Sequence, residues 1–396
     1  MTCERISGLE KKYVLEVLDN QFQTSKNNLF TARLETKFAE TFHREFAVSL
    51  VNGTATMHAA LAALGVKPGD EVIVPPLTMS SPALAVLHNG SIPVFADVDR
   101  KTFNISPDSI LANITEKTRA VIAVSLYGLA PDYDQILKIC REKGIYLIED
   151  NAESFFSKYK NKLVGEFGDF ASFSFQASKH LTCGEGGMLV TDSEELADKA
   201  RKFAGLGYGS IGARKGRIAR SDIQDPNFSR HVCPGFNYRI SELQAAVALG
   251  QLERAKELVG ARVKSAEIFN RVIKGIPWLV PQHLPEGSVN SYWSYSVILD
   301  VENPEERWYR FRDLFTGNGG DGIYAAWKLT YQEPYFQNEV QNYPGVRQKY
   351  AAGLCPNAEY LQKRMLQFKT NYWDPAEAEK QAEILRKTIK EFRGRL

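Results

Sequence analysis

Residues Gly168–Asp192 read GDFASFSFQASKHLTCGEGGMLVTD. Aromatic-rich Phe170–Phe175 and apolar Gly187–Thr191 predict two short strands, the first with alternating side chains, joined by a tight polar turn. That turn holds Lys179, preceded by Ser174, Ala177 and Ser178 and followed by Gly184-Glu185-Gly186-Gly187. An ammonium between buried strands is costly to desolvate, and a lysine so placed tends to lose its proton. A neutral lysine is a nucleophile suited to forming a Schiff base. The other reading is a lysine on an exposed hairpin turn, and the segment alone does not choose between them.

The sequence before it alternates regularly. Helical spacing over 6–20 and 31–42, with a polar loop at Thr24–Phe30, is followed by apolar strands at 47–51, 71–75, 92–96, 120–126 and 145–149. Helices at 54–64, 80–89, 106–114 and 132–143 separate these strands. Such units predict an α/β fold with a mostly parallel sheet covered on both faces. Ligands of such sheets sit beyond the carboxyl ends of the strands. That rule gathers Asn52-Gly53-Thr54, Thr78, Asp150 and the Lys179 turn, and favours the functional reading of the lysine.

After a helix at 193–204, Gly205–Gly216 (GLGYGSIGARKG) marks a change of composition. Its Gly207-x-Gly209-x-x-Gly212 has the form of a dinucleotide fingerprint but follows a helix rather than a strand, so that reading is rejected. The stretch on to Pro234 is too long for an ordinary connection and predicts a functional or mobile loop. A long helix over 241–274, a strand at 293–299 and helices at 304–315 and 375–392 predict a smaller α+β domain. The expected division is a large α/β domain over 1–250 and a small domain over 251–396.

Composition narrows the function classes. The chain has 396 residues, 44% hydrophobic and 24% charged, with a net charge of +2. No polycationic character argues for nucleic acid or an anionic membrane. There is no apolar run of about eighteen residues and no charged-then-apolar leader at Met1-Thr2-Cys3-Glu4, so a soluble cytoplasmic protein is expected. Five cysteines without CxxC spacing fit a reducing compartment and argue against a zinc site or any other metal.

Three features carry chemistry together. Asn52-Gly53-Thr54-Ala55-Thr56 joins a strand to a helix, and free N–H groups at a helix start can bind phosphate, although ordinary capping by Thr54 would look the same. Ile148-Glu149-Asp150 ends a strand in two acids that point to opposite faces, so only one can serve a site; Asp150 is chosen. A carboxylate there can keep a pyridinium nitrogen protonated. With Lys179 and Ser174, these make the parts of a pyridoxal phosphate site.

On these motifs the chain resembles the DegT/DnrJ/EryC1/StrS family of sugar aminotransferases, fold type I enzymes dependent on pyridoxal 5'-phosphate and mostly homodimeric. The resemblance is strongest in VNGTATMHAALAALGVKPGDEVIVPPLT (51–78), VFADVDRKTFN (94–104), 148–192 and PGFNYRISELQAAVALGQL (234–252). It implies Lys179 as the covalent cofactor lysine and Asp150 as the partner of the ring nitrogen. It implies phosphate contacts from Gly53, Thr54, Ala55 and Ser174, with Asn237 supplied by a neighbouring subunit. Gln176 would lie beside the phosphate or substrate.

Met79 stands where many members carry an aromatic residue over the ring, and Glu153 where Gln or His commonly faces the cofactor. Tyr324-Ala325-Ala326-Trp327-Lys328-Leu329-Thr330-Tyr331 replaces a histidine-rich substrate segment, which makes Tyr324 and Trp327 candidate substrate residues. Arg214 and Arg217 offer charge for a diphosphate, or form a solvated basic loop. The resemblance implies transfer of an amino group from L-glutamate or glutamine to a keto sugar, foremost a nucleotide-linked keto-deoxy sugar, in amino-sugar biosynthesis. The alternatives are a keto-octulosonate or cyclitol acceptor, a sugar dehydratase with histidine in place of the lysine, and a cofactor-binding regulator without turnover.

Overall fold

The computed structural model describes residues 3–22 and 30–393; most of the polar loop expected at Thr24–Phe30 lies outside the described residues. Strands run in chain order as β1 Phe46–Leu50, β2 Glu71–Val74, β3 Ile92–Phe95, β4 Thr118–Val124, β5 Tyr146–Asp150, β6 Lys158–Tyr159, β7 Lys162–Leu163, β8 Phe170–Ser174 and β9 Gly187–Thr191. They are followed by β10 Leu279–Pro281, β11 Ser294–Leu299 and β12 Met365–Lys369. Seven of them form one sheet in the order β1-β9-β8-β5-β4-β2-β3. Pairing is parallel from β3 through β2, β4 and β5 to β8, while β9 runs antiparallel to both β8 and β1. This is the mostly parallel α/β sheet of a fold type I enzyme.

The crossovers explain the burial. Every residue of β1, β2, β3, β8 and β9 is buried, as expected for strands covered on both faces. On one face lies an aromatic cluster of Phe38, Phe42, Phe155, Phe173 and Phe175; on the other, the alanine-rich helix Gly53–Ala63 packs on the helix Glu194–Ala204. Small side chains let that helix sit close to the sheet, which brings its N-terminus to the ends of β1 and β8.

The turn predicted as tight is instead a longer connection. β8 and β9 pair only from Ala171↔Val190 to Ser174↔Gly187, and residues 175–186 loop out between them. Backbone bonds from Phe175 to Gly186 and from Cys183 to Phe175 close its base, leaving Lys179 at the far end. The long helix over 241–274 is two helices, Glu242–Glu253 and Ala255–Ile273, with the break at Arg254.

Strands β10, β11 and β12 form a separate antiparallel sheet, and its core joins Phe269, Val297, Phe311, Leu366 and Leu385. We propose residues 251–396 as the small domain on this basis. Part of it, from Ala326 to Leu361, packs back on the large core and walls the space above the sheet edge. Among the described residues no helix is long and apolar enough to cross a membrane, and no group of His, Cys, Asp and Glu could hold a metal ion.

Candidate active site

The carboxyl edge of the large sheet opens into a cleft of about 830 Å³. At one corner β1 gives way to Asn52, whose extended backbone starts the helix Gly53–Ala63 and whose Oδ1 accepts from the Ala55 N–H at 2.8 Å. The first turn of a helix has N–H groups that its own carbonyls cannot reach. Here Ala55 and Thr56 are satisfied by Asn52, and no acceptor among the described residues meets the N–H groups of Gly53 and Thr54. Ser174, at the end of β8, stands directly opposite: a Cβ added to Gly53 would lie 3.0 Å from Ser174 Cβ and 3.4 Å from its Oγ. The corner is a cradle of two open N–H groups and a hydroxyl, at the positive end of a helix dipole.

The acids at the end of β5 divide as period-two geometry requires. Glu149 turns under the sheet, where its carboxylate accepts from the N–H groups of Gly165 (2.6 Å), Phe167 (2.8 Å) and Gly168 (2.8 Å). Asp150 faces the cleft and accepts from the Ala152 N–H at 3.1 Å. Burial pushes its carboxyl up to about 6, against the pull of the Ala152 N–H and the Lys179 charge, with Glu153 adding to the rise.

Lys179 reaches the same cleft. Gln176 shapes its turn: the side-chain Oε1 accepts from both the N–H and the hydroxyl of Ser178 at 2.7 Å, and its carbonyl accepts from the Lys179 N–H at 2.9 Å. Burial alone does not define the ammonium. Its Nζ lies 3.1 Å from Glu153 Oε1 and 4.7 Å from the centre of the Trp293 ring. Glu153 is held in turn by the Tyr127 N–H at 3.2 Å. His180, next in sequence, is buried away from the cleft. Its Nε2 donates to the Ser291 carbonyl at 3.0 Å, its Nδ1 has no partner, and burial keeps it neutral. The lysine, not the histidine, is presented to the cleft.

The small domain closes the opposite wall. Tyr324 and Trp327 line it, and the rings of Trp327, Tyr127 and Trp293 lie nearly parallel, with interplanar angles of 8° to 17°. Met79, 54% exposed, borders the cleft.

Not every sequence candidate meets there. Ala55 is buried behind the cradle, its N–H already taken by Asn52. Arg214 pairs with Glu194 at 2.9 Å and Arg217 with Glu242 at 2.5 Å, and both line a second cavity of similar volume that contains neither Lys179 nor Asp150. Asn237 is exposed, bridged to Gly205 and outside its own chain's cleft. The intervening long loop carries its own short helix, Arg220–Gln224, and a bridge between Tyr208 and His231.

Sequence reasoning missed Trp293 and Arg262. Trp293 looked like the first residue of a strand. Arg262 had a signal: Leu258, Val259, Ala266 and Phe269 set the buried stripe of its helix, and residue 262 falls on it.

The donor set fits pyridoxal 5'-phosphate. Open N–H groups and Ser174 suit a phosphate, buried Asp150 suits a ring nitrogen, and Lys179 reaches the same cleft. The model of the DegT/DnrJ/EryC1/StrS aminotransferase family matches residues 4–386. GDP-perosamine synthase of Escherichia coli O157:H7 is 39% identical over 303 residues, covering 76% of this chain and 78% of that protein. The solved aminotransferase of Psychrobacter cryohalolentis superposes with a TM-score of 0.88 at 27% identity, over 99% of each chain. A 3-amino-5-hydroxybenzoic acid synthase gives 0.86 at 26% identity, over 99% of this chain and 98% of its own. With the fold, the cleft and these likenesses in agreement, the chain belongs to the DegT/DnrJ/EryC1/StrS family and is a pyridoxal phosphate-dependent aminotransferase.

Proposed function

We propose that this aminotransferase passes the amino group of L-glutamate, or glutamine, to a nucleotide-linked keto-deoxy sugar in amino-sugar biosynthesis. The observation that carries the acceptor is the likeness to GDP-perosamine synthase over three quarters of the chain. Bound pyridoxal phosphate supplies an electron-withdrawing ring that acidifies the donor's Cα–H.

The cleft supports the following roles for the chain's residues. The N–H groups of Gly53 and Thr54, with the Ser174 hydroxyl, bind the phosphate and fix the ring's register. Asp150, buried at the cleft end of its strand, would hold a proton on the ring nitrogen. Nζ of Lys179, as a free amine, would take the proton from the donor Cα and deliver it to C4′ within the same half-reaction, and would run the reverse transfer with the acceptor. Glu153, 3.1 Å from Nζ in the cofactor-free cleft, would orient that nitrogen when it is released from the cofactor. Trp293, Trp327 and Tyr324 shield the reacting atoms from water and face the acceptor. We read the assembly as a homodimer in which the partner's Asn237 completes the phosphate site.

A second acceptor class, a free keto sugar or cyclitol, is favoured by one observation: Arg214 and Arg217, expected to meet a diphosphate, pair with Glu194 and Glu242 and line a different cavity. The test covers both. The amino form of the holoenzyme, prepared with L-glutamate, is offered GDP- and other nucleotide-linked 4-keto sugars and free keto sugars, and the cofactor's visible spectrum is followed. Recovery with a nucleotide-linked sugar alone supports the proposal; recovery only with free sugars overturns it. Lys179→Ala should still bind cofactor, without a covalent link, and lose transamination; substantial turnover by that variant would overturn the role of the lysine.

A further inference from the structure

We propose that Arg262 is a positioning residue for Lys179: its guanidinium fixes both the backbone that carries the lysine and the ring beneath its ammonium. The side chain is 2% exposed and sits on the buried stripe of the helix Ala255–Ile273. One terminal nitrogen donates to the carbonyls of Ser178 (2.9 Å) and Lys179 (3.3 Å). The other donates to the Trp293 carbonyl (2.8 Å) and the Thr370 hydroxyl (3.2 Å). Trp293 closes the loop, its indole N–H donating to the same Ser178 carbonyl at 2.9 Å while its ring lies 4.7 Å from Lys179 Nζ.

All four acceptors are uncharged oxygens. A buried cation held that way costs desolvation that a packed hydrocarbon side chain would avoid. The planar fork does something a hydrocarbon cannot: it joins the lysine turn, the start of β11 and the segment after β12 at fixed angles. Arg5 approaches the same turn from the N-terminus and binds the carbonyls of Ala177 (3.2 Å), Lys179 (2.8 Å) and His180 (3.0 Å). Arg5 therefore shares the work on the backbone, whereas only Arg262 also binds Trp293. Proton transfer by Nζ needs that atom at hydrogen-bond reach of the reacting carbon, roughly 2.6–3.2 Å, and the fork sets the point from which the side chain extends.

This inference rests on the reading that Lys179 moves the donor's Cα proton. The test uses the holoenzyme with L-glutamate and its 2-deuterio form in single-turnover measurements of Arg262→Lys and Arg262→Met. In Arg262→Lys the half-reaction should slow about tenfold or more, the scale of a lost charge-assisted hydrogen bond. In Arg262→Met the loss should be larger. KM for the donor should move less than about threefold. The deuterium effect should rise, because transfer by a displaced Nζ becomes the slow event. In the cofactor-free protein, amide exchange at 177–180 should quicken in both variants while the central strands keep their protection. A merely structural role would lower the active fraction and leave the isotope effect where it was; that result overturns the proposal. If Arg262 variants do not fold, Trp293→Phe keeps a ring but removes the bond to Ser178, and should slow the half-reaction and raise the isotope effect together; an unchanged isotope effect there overturns the proposal equally. If wild type shows no half-reaction with L-glutamate, the measurements are repeated with L-glutamine and its 2-deuterio form; no half-reaction with either amino acid refutes the proposed donors and the inference together.

Discussion

Replacing Asp150 with asparagine should make the cofactor-free protein more stable at neutral pH while strongly slowing the reaction of the holoenzyme. Asp150 is enclosed, and burial lifts its carboxyl from the ordinary 3.8 to about 6. The sign follows from linkage. An acid with a raised folded-state pKa binds its proton more tightly when folded, so stability is greatest below 3.8 and falls as pH climbs to about 6. At 1.36 kcal/mol per unit, the ionised carboxylate costs the fold roughly 3 kcal/mol near neutrality. Asparagine has the same shape, keeps an oxygen for the Ala152 N–H at 3.1 Å and carries no charge. The variant should therefore be more stable by up to about 3 kcal/mol at about pH 7.5, and by only about 1 kcal/mol at about pH 4.5. Urea unfolding of the cofactor-free protein at fixed concentration, followed by tryptophan fluorescence at both pH values, measures the two gaps. A gap that does not change with pH, or a variant less stable at pH 7.5, refutes the argument. The same substitution should slow the donor half-reaction strongly, because an amide cannot hold a proton at the ring nitrogen as a carboxylate does. Stability would then have been exchanged for function at one atom.

Two further outcomes follow from the cradle and the subunit arrangement. Gly53→Ala puts a methyl group 3.0 Å from Ser174 Cβ, which cannot swing aside, so cofactor binding should weaken by about 1–3 kcal/mol, the usual cost of overpacking; spectroscopic titration with pyridoxal phosphate measures it. Lys179→Ala and Asn237→Asp, each inactive, should regain part of the activity when subunits are exchanged, since one site of the mixed dimer holds both native residues; no recovery despite proven exchange would sink the shared site.

How far the site was legible depends on the range of the forces that shape it. Period-two geometry was enough to separate Asp150 from Glu149, because neighbouring strand residues must face opposite ways, and the pattern of βαβ units brought Gly53, Asp150 and Lys179 to one sheet edge. Short or fully buried pieces escaped. Strands β6 and β7 have two residues each, too few for any period, and β12 (MLQFK) owes its form to pairing with β11 rather than to its own alternation. The connection after β8 was read as a tight turn because glycines and polar residues crowd it. Its actual span is set by partners more than 80 residues distant, Arg5 and Arg262, whose donors replace the ladder bonds that a hairpin would have made.

That substitution says where local reading must fail around a reactive lysine. Residues 176–182 lie off the sheet, so their carbonyls need donors from elsewhere in the chain. A side chain can supply several at once only if it is long, charged and forked, which means arginine. Such an arginine has to cross apolar packing to arrive, so it stands on a helix face that is otherwise hydrophobic. Arg262 among Leu258, Val259, Ala266 and Phe269 has that placement. An arginine interrupting the buried stripe of a helix in the small domain is therefore a sequence sign of a distant loop held open, and here the loop it holds is the one that carries Lys179.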